Sequence, residues 1–157
     1  MQKIKTFLWY DNQAEEAAKH YISVFGGDSK ILDVTRFGDA GPGEPGSVMT
    51  VNFQLAGQEY VALNGGPEYT FTEAISLQVD CEDQAEVDRL WSRLSEGGEE
   101  GPCGWLKDKY GLSWQIVPRR LMELMGDPDP KKAAAVTQAM LGMKKIDIQG
   151  LENAYKQ

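Results

Sequence analysis

Polar side chains that could bind a small molecule lie on a predicted strand near the end of the repeated part of the sequence. Along residues 112–117, the alternation of a β-strand places Ser113, Gln115 and Val117 on one face. A side-chain amide donates and accepts hydrogen bonds at once, so Gln115 is predicted to anchor a ligand in a cleft. The alternative is that Gln115 satisfies neighbouring groups of the sheet. Three further polar candidates have similar positions on strands: Asn64, Ser76 and Gln78.

Cys103 is the residue that could supply a nucleophile. It lies between Pro102 and Gly104, where a strand is predicted to begin. A thiol needs a nearby base or cation to become a nucleophile, and the only histidine, His20, falls within a predicted helix. We therefore interpret Cys103 as a small, unreactive residue bordering the site. Cys81 is predicted to pack in the core, and both cysteines are predicted to be reduced thiols.

Aromatic side chains could form the apolar walls of such a site. Trp105 lies near the last predicted hairpin and Phe71 lies in the glycine-rich loop 64–72, so both are predicted to line the pocket. Trp91 belongs to a predicted helix and Trp114 faces away from the polar face of its strand. Those two tryptophans are predicted to be core residues.

An internal repeat predicts how these residues are positioned. Residues 12–27 recur loosely, without a gap, as residues 83–98. Each copy begins with Asn or Asp as a candidate N-cap, has Glu three residues later and ends in Gly-Gly, which favours a left-handed C-cap. The copies therefore predict two equivalent helices. A duplicated strand, helix and strands module places equivalent positions of both halves around one shared site.

The periodicity of apolar residues and the positions of turn residues predict the remaining helices and strands. The predicted strands are residues 4–10, 29–37, 48–55, 58–63, 74–80, 105–107 and 112–117. The predicted helices are residues 13–25, the second repeat helix, and residues 120–125, 131–143 and 146–155 in a tail that belongs to neither repeat. An apolar stripe on this tail must be buried against the core or across a two-fold dimer, and we expect a homodimer. Its members are Ala135, Val136, Ala139, Met140 and Met143.

Composition limits the classes of partner. The 157 residues include 41% hydrophobic residues, and 24 acidic against 16 basic residues give a formal charge of -8. Nucleic acid and anionic membrane surfaces are therefore poor partners. No apolar run approaches the roughly 20 residues of a membrane span, and the N-terminal residues lead directly into a strand. We expect a soluble, cytoplasmic protein.

Several motifs in order resemble one protein family. They are residues 9–17, the Phe-Gly-Gly ending at 25–27, Ala-Leu-Asn-Gly-Gly at 62–66, residues 83–88 and residues 104–118. The sequence resembles the PhnB-like branch of the vicinal oxygen chelate superfamily, which includes glyoxalase I, bleomycin-resistance proteins and extradiol dioxygenases. The resemblance implies an α+β fold in which two paired βαβββ modules form an open, barrel-like mixed sheet around a cleft, commonly in a dimer. We expect a single domain over residues 1–157, with modules at 3–65 and 73–118 and a helical tail at 119–157.

Members of this branch often carry a demethylubiquinone methyltransferase label, which the residues do not favour. A methyltransferase that uses S-adenosylmethionine normally has a glycine-rich turn between a strand and a helix of a doubly wound sheet. Neither Gly26-Gly27 nor Gly65-Gly66 has that context.

The resemblance also implies four positions for metal ligands, on the first and last strand of each module. Here they align with Ile4 or Thr6, Ala74 or Ser76, Asn64 and Gln115, and none of these is a strong ligand for a divalent metal. We therefore expect neither a metal nor another cofactor.

The resulting hypothesis is a small-molecule-binding member of the superfamily that lacks a metal. Two alternatives remain open. One is a metal-dependent lyase, isomerase or dioxygenase with a degenerate site, and the other is a dimeric interaction module with a vestigial cleft. The sequence does not indicate a ligand or whether the protein is an enzyme.

Overall fold

The computed structural model describes residues 2–157, which form two compact units. The first unit ends at Phe71 and the second begins at Thr72. The first contains β1 (Thr6–Tyr10), α1 (Ala14–Phe25), β2 (Lys30–Arg36), β3 (Val48–Leu55) and β4 (Gln58–Asn64). The second contains β5 (Ser76–Cys81), α2 (Gln84–Ser95), β6 (Glu99–Glu100), β7 (Trp105–Lys107), β8 (Ser113–Pro118), α3 (Arg119–Met125), α4 (Pro130–Leu141) and α5 (Ile148–Tyr155). The α+β class and the repeated βαβββ order are confirmed.

The first unit has a four-stranded mixed sheet covered on one face by α1. Its strand order is β1-β4-β3-β2, with β1 parallel to β4 and the other neighbours antiparallel. Leu8 and Tyr10 of β1 are buried on the face that α1 covers, and the Tyr10 and Tyr21 hydroxyls lie 3.1 Å apart. Phe7 and Trp9 therefore point to the opposite, open face.

The second unit repeats this arrangement with the strand order β5-β8-β7-β6. β5 is parallel to β8, and β7 is antiparallel to both of its neighbours. α2 buries Val87, Leu90, Trp91 and Leu94. Leu106, Trp114 and Ile116 are buried on the same side of the sheet, so the prediction that Trp91 and Trp114 are core residues is confirmed.

The C-terminal tail packs within the second unit. Val136 is fully buried, and Met140 and Met143 pack against the same cluster, whose buried members are Val117, Leu121, Leu124, Val136, Ile146 and Leu151. The amides of Cys103 and Gly104 each donate a 2.8 Å hydrogen bond, to the carbonyls of Met143 and Lys144. Three members of the apolar stripe are thus covered inside the second unit, while Ala135 and Ala139 are half-buried.

The repeat helices begin in different ways. In α2, the Asp83 carboxylate accepts from the amide of Glu86, as the capping pattern predicts. In α1, the prediction of an Asn12 cap is wrong, because Gln13 occupies the N-cap position without a side-chain cap bond. Both helices are followed by glycines with positive φ, 60° at Gly26 and 79° at Gly97. Within residues 2–157, no helix has both the length and the apolar character needed to cross a membrane.

Candidate functional site

The open face of the second sheet carries a group of adjacent polar side chains. Ser76 of β5 pairs in register with Ser113 of β8, and Gln78 pairs with Gln115. On the other side of β8, Trp105 lies opposite Gln115 and Lys107 lies opposite Ser113. Residues directly opposite each other project to the same face of a sheet. The second module therefore presents hydroxyl and amide groups beside an indole and an ammonium group.

A cavity of about 510 Å³ lies at the end of this face where β6 and β7 pair. It is lined by Glu73, Glu99, Glu100, Gly101, Pro102, Cys103, Trp105, Leu106, Lys107 and Ser113. Small-molecule sites typically measure about 300–1,000 Å³ and combine apolar walls with a few polar groups. Trp105 and Pro102 supply apolar wall here, so both the size and the composition suit a small ligand.

Ser113 is the unusual group in this cavity. The residue is 1% exposed, and its hydroxyl has no hydrogen-bond partner among the described residues. Most buried polar side-chain atoms in proteins are hydrogen-bonded, because an unpaired one costs about 1–3 kcal/mol. A ligand in the cavity could supply the missing partner. Sequence alternation placed Ser113 on the same face as Gln115 but did not identify it as a candidate.

Gln115 makes a bond within the sheet. Its Nε2 donates to the Ser76 Oγ at 2.9 Å, and it does not line the cavity. The alternative, that Gln115 satisfies neighbouring groups of the sheet, therefore holds in part, because one end of the amide bonds a neighbouring hydroxyl. The other end has no hydrogen bond among the described residues and remains available on the open face. Gln78 is exposed beside it.

Cys103 and Trp105, both predicted from the sequence, line the cavity. The Cys103 backbone has a φ of 59°, in the left-handed region that non-glycine residues rarely adopt. Its Sγ lies 3.9 Å from the Leu141 carbonyl, and no base contacts it among the described residues. Cys81, in contrast, is fully buried, and burial together with the nearby Glu86 carboxylate raises the pKa of its thiol to about 12. The Cys81 thiol is therefore unsuited to nucleophilic chemistry at neutral pH.

Lys107 and Glu73 form an ion pair at the cavity. Lys107 Nζ lies 2.6 Å from Glu73 Oε1. This hydrogen bond and the charge of Lys107 lower the pKa of the Glu73 carboxyl. The hydrogen bond to Glu73, with the negative charges of Glu73 and Glu99, raises the pKa of the Lys107 ammonium. Both groups are therefore charged at neutral pH. Sequence reasoning missed this pair because its two residues are far apart in the chain.

Asn64 and Phe71, the other predicted site residues, belong to the first unit. Asn64 Oδ1 accepts from the Ala14 amide at 2.8 Å, and its Nδ2 donates to the Val48 carbonyl at 3.0 Å. Asn64 thus supplies the cap that α1 lacks locally and ties β4 to β3. The Phe71 ring packs edge to face on Tyr10, with ring centres 5.3 Å apart.

Asn64 also borders a cavity of about 640 Å³ in the first unit. Trp9 and Phe37 form part of its wall. The indole of Trp9 donates to the Gly66 carbonyl at 2.9 Å, so that side chain is fixed by the loop after β4.

The positions that align with metal ligands carry unsuitable side chains. Thr6, one of the two positions aligned on the first strand, lies on the face of Leu8 and Tyr10, which α1 covers. On the open face of that strand, Phe7 pairs with Val61. In the second unit the corresponding pair is Gln78 and Gln115. Divalent metals in proteins prefer His, Cys, Asp and Glu, so these residues do not fit a metal centre. Within residues 2–157, no group of three or more such side chains is placed to hold an ion.

Known proteins share both the sequence pattern and the fold. A family model described as 3-demethylubiquinone-9 3-methyltransferase matches residues 2–117. A PhnB protein from Bacillus cereus is 38% identical, with a TM-score of 0.66 over 74% of this chain and 99% of that one. Protein PA1353 from Pseudomonas aeruginosa is 20% identical, with a TM-score of 0.62 over 75% of this chain and 98% of that one.

A more distant likeness shows the fold alone. The fosfomycin resistance protein FosX from Mesorhizobium loti is 14% identical, with a TM-score of 0.52 over 74% of this chain and 92% of that one. Comparison with curated proteins gives no match. The family model and the Bacillus cereus relative agree with the fold described above, and the chain belongs to the 3-demethylubiquinone-9 3-methyltransferase family, which includes PhnB-like proteins.

Proposed function

We propose that this protein binds a small molecule in the cavity on the open face of the second sheet, without a metal ion. The observation that carries the proposal is the buried Ser113 hydroxyl, which lacks a hydrogen-bond partner among the described residues and lines that cavity. A group of this kind lowers the stability of the free protein, and a ligand that bonds it recovers the loss. Buried polar groups normally have a partner, so the unpaired Ser113 hydroxyl supports a site that a ligand completes.

The surroundings of Ser113 support the same function. Trp105 offers apolar surface to the body of a ligand. Gln115 does not line the cavity, but it lies opposite Trp105 and has the free end of its amide on the same face, where it could serve as a second polar anchor. The proposed activity is binding, because Cys103, the candidate nucleophile, is not paired with a base among the described residues. The side chains aligned with the family's metal positions likewise favour a ligand held by hydrogen bonds and apolar contact.

Substitution of Ser113 by alanine separates a binding role from a structural one. We expect Ser113→Ala to leave the free energy of unfolding unchanged or to raise it by up to about 1 kcal/mol, since an unpaired buried hydroxyl is removed. The same change should weaken binding of fragments found by a thermal-shift screen by about five- to tenfold. Urea unfolding and isothermal titration measure the two effects. Ser92→Ala, at an exposed position on α2, is the matched control and should change neither.

Gln115→Leu is the companion variant. It removes the bond to Ser76, so it should cost about 1 kcal/mol of stability as well as weaken binding. The proposal is contradicted if Ser113→Ala destabilises the protein by more than 1 kcal/mol on the same scale while fragment affinity is unchanged. Ser113 would then have a structural role.

A further inference from the structure

The cavity of the second unit has an excess of negative charge. Three of its lining residues carry carboxylates, Glu73, Glu99 and Glu100, and one, Lys107, carries an ammonium group. Glu100 pairs with Leu106, so its carboxylate projects to the face that α2 covers. Glu99 and Glu100 form the short edge strand β6 and are exposed. A ligand that enters here passes charged groups that accept hydrogen bonds.

Lys107, the one cationic side chain among the described lining residues, is already paired. Lys107 Nζ lies 2.6 Å from Glu73, and Glu99 lies opposite Lys107 in the β6–β7 register. The ammonium group therefore has one carboxylate in direct contact and a second on the neighbouring strand. Among the described lining residues, no cation remains for a carboxylate or phosphate ligand. The formal charge of -8 on the whole chain further disfavours anions.

The rest of the cavity suits a neutral, apolar group. Trp105 presents an indole, against which an aromatic or aliphatic body can pack and over whose face a cation is attracted. The Ser113 hydroxyl, buried and without a partner among the described residues, can accept from an N–H donor of the ligand. The unpaired Ser113 hydroxyl is evidence for a ligand that does not depend on the surrounding carboxylates.

We infer that the ligand of this cavity is an organic amine, with an apolar or aromatic body that packs on Trp105 and an ammonium group held by Glu99 and Ser113, which share the open face of the sheet. The inference rests on the proposed binding function and specifies its ligand class. An ammonium group provides the N–H donors and the positive charge that these side chains lack. A carboxylate of the same shape would meet like charges and would bring no donor for them.

Three probes of similar shape test the charge preference: 2-phenylethylamine, 2-phenylethanol and phenylacetate. We expect titration of the full-length protein at pH 7 to show that the amine binds at least about tenfold more tightly than phenylacetate, with the alcohol between them. The amine affinity should fall as salt is raised, because the attraction to exposed carboxylates is screened. Affinity of the alcohol should depend little on salt.

Substitution of the carboxylate on the open face locates the effect. The variant Glu99→Gln should reduce amine affinity about three- to tenfold and leave the alcohol unchanged. Glu99 is exposed, so the fold is expected to tolerate the change. Glu96→Gln, at an exposed carboxylate that does not line the cavity, is the matched control and should have no effect.

The outcomes distinguish this inference from the proposed function. Equal binding of all three probes, or tighter binding of phenylacetate, overturns the amine assignment and leaves the binding function supported. Binding of none of the probes also overturns the assignment, and the Ser113→Ala comparison with screened fragments then decides the binding function. Amine binding that is unaffected by Glu99→Gln places the cation elsewhere and overturns the inference.

Discussion

Replacement of Asp108 by alanine is expected to lower the free energy of unfolding by about 3–5 kcal/mol. Asp108 is 2% exposed, and both oxygens of its carboxylate accept hydrogen bonds. Its Oδ1 accepts from the amides of Tyr110 and Leu112 at 2.9 and 3.1 Å, and its Oδ2 accepts from the Trp114 indole at 2.9 Å. Alanine would leave these buried donors without their acceptor. Urea unfolding of the variant measures the loss.

A second substitution tests the bond to Trp114. Asp108→Asn keeps an oxygen for the backbone amides but turns an NH₂ group toward the indole N–H, so two donors would face each other. We expect this variant to lose about 2 kcal/mol, and to lose less in a Trp114→Phe background. A loss below about 1 kcal/mol for Asp108→Ala would contradict the role assigned to this turn. The turn joins β7 to β8, so it also fixes Trp105 relative to Ser113.

Gly98→Ala is expected to have the second large effect, a loss of at least about 3 kcal/mol. A Cβ at Gly98 would lie 2.1 Å from the Lys107 carbonyl oxygen and 2.7 Å from the Asp108 carbonyl carbon. These are backbone atoms of the strand that β6 pairs with, so relief requires the strands to separate. Thermal or urea unfolding measures the change, and altered binding of fragments should accompany it because Glu99 and Glu100 line the cavity.

The equivalent glycine of the first repeat is the control. A Cβ at Gly27 would meet nothing within 4 Å, although φ is 54° there. Gly27→Ala should therefore cost only about 1 kcal/mol, the conformational penalty of a side chain in the left-handed region. Equal losses for the two variants would contradict the steric explanation. The Gly-Gly pair recurs in both repeats. Its second glycine is required in the second repeat because backbone atoms leave no room for a side chain, and in the first repeat because the backbone has a positive φ.

The sequence predicted the elements whose signals are local. Helices 14–25 and 84–95 follow from apolar spacing and from terminal glycines, and strands 48–55 and 105–107 have the predicted boundaries. β6 was missed because two adjacent glutamates show no apolar alternation. The Asn12 cap was predicted wrongly because the cap of α1 comes from Asn64, which is distant in sequence.

The candidate site was harder to predict from the sequence, again because it depends on contacts between residues that are distant in the chain. Alternation assigns Ser113 to a face, but its burial depends on the strands and loops that pack around it. The bond between Gln115 and Ser76 depends on the parallel register of β5 and β8, which only the assembled sheet fixes. Likewise, the pairing of Glu73 with Lys107 joins a loop to a strand. Trp105 and Cys103 were predicted because both adjoin a local glycine and strand signal.

The most direct test of the proposed binding site is a ¹H–¹⁵N NMR titration with the tightest fragment from the thermal-shift screen. If the cavity of the second unit binds small molecules, amide resonances of residues 99–107 and of Ser113 should shift saturably, while those of residues 9–15 and 63–66 beside the first-unit cavity stay in place. Saturable shifts confined to the first-unit residues, or no saturable shift among residues 99–113, would contradict the proposed site.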